Sequence, residues 1–354
     1  MRLDSSVPKI NPADGGRCGG DGLSFYTARE GAAQFLQGRA GKVLALAEDS
    51  AFSALLPAVR LPHTISMLWE GDALPLFAMP EVACVMAAGR EEAVKAARFF
   101  AAVRRIPCAV FPSEAALGGV FCARGAISLN GNRLNVPLAP AKVYCDCRML
   151  HDLLAEGYAR LMLSRLALFE TKAVGLICHV RFGGAAYEEA FSLTEMRGEL
   201  SAEEIVRRNA RLRILEDEGL PRGEGMALEG SAYSRWRALT ALYLAFFGKG
   251  RPRRYAVPDY AARAKAANVP YGGLTLPSRQ EYALRALRLE RARGELLAEL
   301  RSIAGRKGAY ERVLRMYGAR LPQTIGRTVL RTLPERADGG LSAVIRDFGL
   351  LDFE

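Results

Sequence analysis

Residues 42–113 alternate between short apolar runs and stretches of helical spacing, and no other feature constrains the fold as strongly. The apolar runs are KVLALAE (42–48), HTISMLWE (63–70), EVACVMAAG (81–89) and RIPCAVFPS (105–113). SAFSALLPAVR (50–60) separates the first two, and REEAVKAARFFAAVR (90–104) separates the last two. The latter has apolar residues at 94, 97, 99, 100 and 103, one face of an amphipathic helix. Runs that are apolar throughout are strands buried on both faces. Strands of that kind alternating with helices predict a parallel sheet covered by helices.

The pattern then changes twice. GAISLNGNRLNVPL (125–138) holds two short alternating runs around Asn-Gly-Asn and predicts a β-hairpin. From residue 150 the spacing is helical. It runs through LLAEGYARLMLSRLALFETKAVGLI (153–177) and then 185–218, 226–248, 277–304 and 308–317, with Gly and Pro between. The expected architecture is an α/β domain over residues 1–149, with a Rossmann-like parallel sheet, followed by an all-helical domain over 150–354. At 354 residues, two domains are also the expectation from length.

No window reaches the roughly 18 unbroken apolar residues of a membrane span. MRLDSSVPKINPADGGRCGG lacks the apolar core of a signal peptide, so a cytoplasmic protein with no membrane partner is expected. The seven cysteines are scattered, most of them inside apolar runs such as VACVM and IPCAVF. That is the usage of small buried hydrophobes, not of a disulfide framework. Net charge is +11, and residues 151–354 carry 33 basic and 25 acidic side chains of the total. The basic residues are mostly Arg beside Glu at helical spacing, as in LRLERARGELLAELR (287–301). That pattern reads as solvated helix faces and argues against a nucleic-acid partner. GKGRPRR (248–254) is the one denser cluster, suited to a phosphate or an acidic partner.

One segment looks like a metal site. VYCDCRMLHD (143–152) places Cys145, Cys147 and His151 close together. There is no second ligand pair for them elsewhere, and a zinc site needs about four ligands. The stretch reads instead as the hinge between domains, with Asp146 capping a helix that starts near 148.

The hinge and the helix after it carry a resemblance. PLAPAKVYCDCRMLHDLLAEGYARLMLSR (137–165) resembles the junction of the iron-containing alcohol dehydrogenase and 3-dehydroquinate synthase superfamily. There a Pro-led strand ends in Asp and a helix opens with Ala-Gly-x-x-Asp. KVLALAEDS is similar to the first strand with its terminal acid. EVACVMAAGREEAVKAARFFA is similar to the strand, Gly-Gly-Gly-Ser turn and helix that hold a cofactor diphosphate. AVFPSEAALGG resembles the Pro-Thr-x-x-Ser-x-Asp-Gly loop, and LSAVIRDFGLLDFE resembles the tail of sn-glycerol-1-phosphate dehydrogenases. The resemblance implies a dehydroquinate synthase-like fold, NAD or NADP in the α/β domain, and Zn or Fe held by one Asp and two or more His. The metal would polarise an oxygen while the nicotinamide exchanges hydride. It also implies a homo-oligomer.

This chain departs from that pattern at each chemical position. The aspartate of the metal is replaced by Arg160, a permanent cation and no ligand. The histidines, His63, His151 and His179, all precede the region where the family's ligands fall, and Gly225 stands near one of those positions. Neither Zn nor Fe is expected. The diphosphate turn would be Ala87, Ala88, Gly89 and Arg90, with Glu91 and Glu92 opening the helix. Two added Cβ atoms restrict the turn, and two carboxylates already complement the helix dipole. In the next loop Ser113 is kept, while Ala116 and Gly118 stand for Ser and Asp.

Three readings stay open. The first is a divergent homologue, a pseudoenzyme, that keeps the fold and binds a nucleotide or phosphorylated small molecule. The second is an active oxidoreductase with Arg160 as the electrophile in place of the metal. The third is a binding or regulatory module outside the family. The smaller signals read as packing: His179 as a hydrogen-bonded core residue, and Tyr233, Trp236 and Tyr243 as a buried helix stripe.

Overall fold

The computed structural model describes residues 23–115, 117–150, 153–196, 199–249, 277–322 and 340–348. The chain separates into two compact units, Met1–Gly157 with Leu200–Glu218, and Tyr158–Glu199 with Gly219–Glu354.

The first unit is built on a six-stranded sheet. Its strands are β1 (Leu23–Phe25), β2 (Val43–Ala47), β3 (Thr64–Leu68), β4 (Cys84–Gly89), β5 (Cys108–Pro112) and, after a hairpin of β6 (Arg124–Leu129) and β7 (Asn132–Pro137), β8 (Lys142–Cys145). The order across the sheet is β1-β8-β5-β4-β2-β3, and every pairing in it is parallel. β2, β4 and β5 are buried along their whole length, which is why they read as unbroken apolar runs. Val43, Ala45, Ala47, Cys84, Met86, Ala88, Ala109, Phe111 and Tyr144 point to one face. There they pack on α1 (Ala28–Leu36) and α2 (Phe52–Val59). Phe111 stacks on Tyr144 at 5.4 Å within this layer. Burying each such large side chain contributes about 1.5–3 kcal/mol. The alternate residues, among them Leu44, Val85, Ala87 and Val110, face the other way, where α3 (Glu91–Arg104) lies on β4 and β5.

The hairpin is antiparallel and turns at Asn130-Gly131, with Ile127 opposite Leu134. The Asp72 carboxylate fixes that turn by accepting from the backbone nitrogens of Leu74, Asn130 and Gly131 and from the Ser128 hydroxyl.

Among the described residues the longer elements that follow are helices: α4 (Leu154–Cys178), α5 (Ala185–Leu193), α6 (Ala202–Asp217), α7 (Ala232–Lys249), α8 (Arg279–Gly305), α9 (Lys307–Met316) and α10 (Leu341–Asp347). No strand follows residue 178 among the described residues, so the fold class is a parallel-sheet α/β unit joined to a helical one, as expected. α4 is buried nearly all round, with Leu161, Met162, Leu166 and Phe169 hidden on different sides. α6 belongs to the sheet unit, where Asn209 donates to the Gly157 carbonyl at 3.0 Å.

The structure departs from the expected pattern in several places. The helical stretch 185–218 is two helices, because Ser201 caps a new one through a reciprocal box with Glu204. The stretch from 226 begins as a 3-10 turn, Glu224–Ala227, and the helix proper starts at Ala232. Asp146 does not cap the helix after it, which starts only at Leu154. Its carboxylate accepts from the nitrogens of Ala28, at the start of α1, and of Arg148. His179 is exposed, in the left-handed conformation with φ 58°, at the end of α4, and so is not a core residue. Cys84, Cys108, Cys122 and Cys145 are buried and free, and Trp236 and Tyr243 are core residues, as their sequence patterns imply. His151 and most of GKGRPRR lie outside the described residues.

Candidate functional site

Sheet topology marks one location in the first unit. The chain runs from β2 out to the edge at β3, then returns to lay β4 on the other side of β2. The carboxyl ends of β2 and β4 therefore bound the crevice where open α/β sheets take ligands. Glu48 leaves β2 there, its N–H donating to the Ala88 carbonyl at 3.0 Å. Gly89 ends β4 with φ +151°, a value L side chains rarely adopt. A Cβ there would lie 3.0 Å from the Glu48 side chain. Arg90 is the exposed N-cap of α3.

Ala87 and Ala88, expected in the turn, are wholly buried strand residues. They pair with Val110 and Phe111 of β5 and with Leu46 and Ala47 of β2. Ser113 joins them, its N–H donating to the Gly89 carbonyl at 2.9 Å, while its hydroxyl is buried without a hydrogen-bond partner among the described residues. Ala116 lies outside the described residues.

A residue that periodicity does not reveal sits at the centre of this turn. The Glu114 carboxylate accepts from the backbone nitrogen of Glu91, the first residue of α3, at 3.0 Å. A helix N-terminus favours an anion through its unpaired N–H groups and dipole, and here the chain supplies that anion itself. Burial pushes the Glu114 carboxyl above its ordinary range. The Glu91 charge adds to this, against the Glu91 N–H and Arg90.

The loop carrying Glu114 is fastened down on α3. Glu91 pairs with Lys95 one turn along. Gly118 lies so near that a Cβ would come 2.5 Å from Glu91 Oε2, so any larger residue there must displace the end of the Glu91 side chain. Arg98, 1% exposed, donates to the carbonyls of Gly119 at 2.6 Å and Ala139 at 2.7 Å.

Arg160 belongs to the second unit, half-buried near the start of α4. Among the described residues no three His, Cys, Asp or Glu side chains converge in a way that could hold a metal ion.

The second unit has a polar centre of its own. Glu170 of α4 and Glu224 of the 3-10 turn are 4% and 8% exposed. The Tyr243 hydroxyl of α7 lies 2.8 Å from Glu170 Oε1 and 3.1 Å from Glu224 Oε2. The Glu224 nitrogen donates to Glu170 Oε2 at 2.9 Å, and the Ser342 nitrogen of α10 donates to Glu224 Oε1 at 2.8 Å. Burial, then the neighbouring Glu224 charge, pushes the Glu170 carboxyl up to about 8. Burial raises Glu224 too, opposed by Ser342, Tyr243 and Arg346. Tyr243 is held well above the ordinary phenol range by burial and the two carboxylates. A lone carboxylate in the apolar run LALFE is the sequence signal for this centre.

No family model matches the sequence. No curated protein matches it either. Among solved structures the chain is similar to a probable glycerol dehydrogenase from Sinorhizobium meliloti, at 12% identity over 84% of this chain and 97% of that one, with a TM-score of 0.44. It is similar to an iron-containing alcohol dehydrogenase from Corynebacterium glutamicum at 13% identity over 91% and 95%, with a TM-score of 0.42. A maleylacetate reductase from Agrobacterium tumefaciens aligns at 16% identity over 89% and 95%, also with a TM-score of 0.42. No helix of the described residues is long and apolar enough to cross a membrane.

Proposed function

We propose that this protein is a divergent relative of the metal- and NAD(P)-dependent glycerol-1-phosphate dehydrogenases that keeps a two-part fold and has given up hydride transfer. It binds a phosphorylated small molecule without metal. The observation that carries this reading is the Glu114 carboxylate on the Glu91 N–H. The residues at the start of α3 fit a dinucleotide diphosphate poorly, because the first N–H of the helix already serves an internal anion, with the Glu91 and Glu92 carboxylates beside it. Nor does the implied metal position fit a metal. Arg160 offers no lone pair, and no histidine follows His179 in the sequence. Arg160 instead supplies a fixed cation with the planar donor geometry suited to a phosphate.

The test combines metal analysis of the purified protein, NAD(P) binding, and turnover of glycerol phosphate and dihydroxyacetone phosphate. The expected result is substoichiometric zinc and iron, no saturable NAD(P) binding, and weaker binding of glycerol phosphate by Arg160→Ala. Stoichiometric metal with NAD(P)H-dependent turnover would overturn the reading. Turnover without metal, abolished in Arg160→Ala, would favour an active enzyme with Arg160 as electrophile.

A further inference from the structure

The polar centre of the helical unit poses a proton-counting problem. Tyr243 carries one hydroxyl proton, yet its oxygen lies within hydrogen-bond distance of a carboxylate oxygen on each of Glu170 and Glu224. A phenol donates once. If both carboxylates were ionised, one contact would set a phenol lone pair against a carboxylate oxygen in a buried, low-dielectric interior. A second proton completes the chain. With it on Glu170 Oε1, that oxygen donates to Tyr243 Oη and Tyr243 donates to Glu224 Oε2.

The surroundings place the proton on Glu170. Glu224 also receives the Ser342 N–H and faces the buried guanidinium of Arg346, both of which favour its charged form. Among the described residues, Glu170 receives the Glu224 N–H and faces Tyr243, with no cation to favour its charge. The other charged groups nearby are engaged elsewhere. Asp347 lies 3.4 Å from both Arg346 and Arg285 of α8, and Arg235 of α7 donates to the carbonyl of Gly225 at 3.0 Å.

What this chain of hydrogen bonds holds is α10. Leu341 to Arg346 are buried, and the Ser342 N–H in its first turn ends on Glu224. Gly340, just before it, lies so close that any Cβ would overlap the Glu224 carboxylate. We propose that Glu170, Tyr243 and Glu224 form a proton-bearing latch that fastens α10 to the helical unit, and that its opening releases one proton to solvent. The closed latch holds a proton that the open one loses, so closure weakens as pH rises from the ordinary carboxylate range toward the raised value of Glu170.

Hydrogen exchange of residues 340–348 between pH 6 and 8, corrected for intrinsic rates, tests this. Protection in the wild type should fall by up to about tenfold per pH unit. In Glu170→Gln, whose amide mimics the protonated acid without titrating, it should stay level. A level wild-type profile, or the same slope in the variant, would overturn the latch. Infrared spectroscopy of the wild type needs no variant to fold. A protonated-carboxyl band at pH 6.5 that fades by pH 9 supports the proposal, and its absence or its persistence at pH 9 refutes it.

Discussion

Glu114 reaches 23 residues back along the chain to place its carboxylate 3.0 Å from the Glu91 backbone nitrogen, at the mouth of α3. The contact does the work of an N-cap, since the N-cap residue Arg90 makes no side-chain cap of its own. Glu114→Ser should therefore cost about 1 kcal/mol, the usual worth of a cap, read from denaturant unfolding. It should also free the N–H for an outside anion. Pyrophosphate, measured by calorimetry, should bind the variant up to about fivefold more tightly than the wild type, in line with the dipole's worth of about 0.3–1 kcal/mol. Unchanged pyrophosphate affinity would show that the turn is closed by something other than Glu114.

Arg98 should be the least replaceable polar residue of the first unit. Its guanidinium is buried and donates to two loop carbonyls, Gly119 and Ala139, which lose their partner if it goes. Arg98→Met keeps much of the stem's packing and removes the donors. Leaving the buried Gly119 carbonyl unpaired costs about 1–3 kcal/mol, and the part-buried Ala139 carbonyl adds less because water reaches it. The measurement is urea unfolding, with exchange at 117–122 showing whether the loop lifts before the sheet melts. A cost below about 1 kcal/mol would mean that solvent reaches the Gly119 carbonyl as well.

The sheet is legible in the sequence because its central strands are buried on both faces and so read as apolar runs: Val43–Ala47, Cys84–Gly89 and Cys108–Pro112 all lie inside the expected stretches. β1 and α1 are not, since three residues carry no period and AREGAAQFL has only two large apolar residues, Phe35 and Leu36. A capping signature is present all the same, Thr27 with Glu30 three residues on, and the structure closes that box. The sites are hidden for a different reason. The Glu114–Glu91 contact joins the loop after β5 to the helix before it, and the Glu170, Glu224 and Ser342 contacts span 54 and 118 residues. Sequence periodicity reports which face a residue occupies, and says nothing of which distant N–H it meets.

Asp72 governs the hairpin rather than the core. Backbone N–H groups of Gly131, Leu74 and Asn130 hold its carboxyl down to about 2. A depressed folded value means that its contribution is present above the ordinary carboxylate range and is lost as pH falls toward 2. Amide protection at 129–132 should decline over that acid window while the central strands β4 and β5 stay protected. Asp72→Ala should show the low protection at neutral pH. If the variant's turn is as protected as the wild type's, Asn130-Gly131 holds the register unaided.

Gly340 offers the sharpest steric test in the helical unit. It precedes α10 with φ −87°, an ordinary value, so backbone freedom is not why glycine stands there. The reason is space, because a single added carbon would overlap the Glu224 carboxylate. Gly340→Ala must then push Glu224 off the Ser342 N–H or lift α10 from its seat. Overpacking of this kind costs about 1–3 kcal/mol. The cost should be local: faster exchange across 340–348, with α4 and α7 protected as before. Glu224→Ala in the same chain would remove the obstructing carboxylate. In the double variant the steric part of the penalty should vanish, so that Gly340→Ala costs less than about 0.5 kcal/mol on the Glu224→Ala background. Full additivity of the two substitutions would show that Gly340 and Glu224 do not constrain each other.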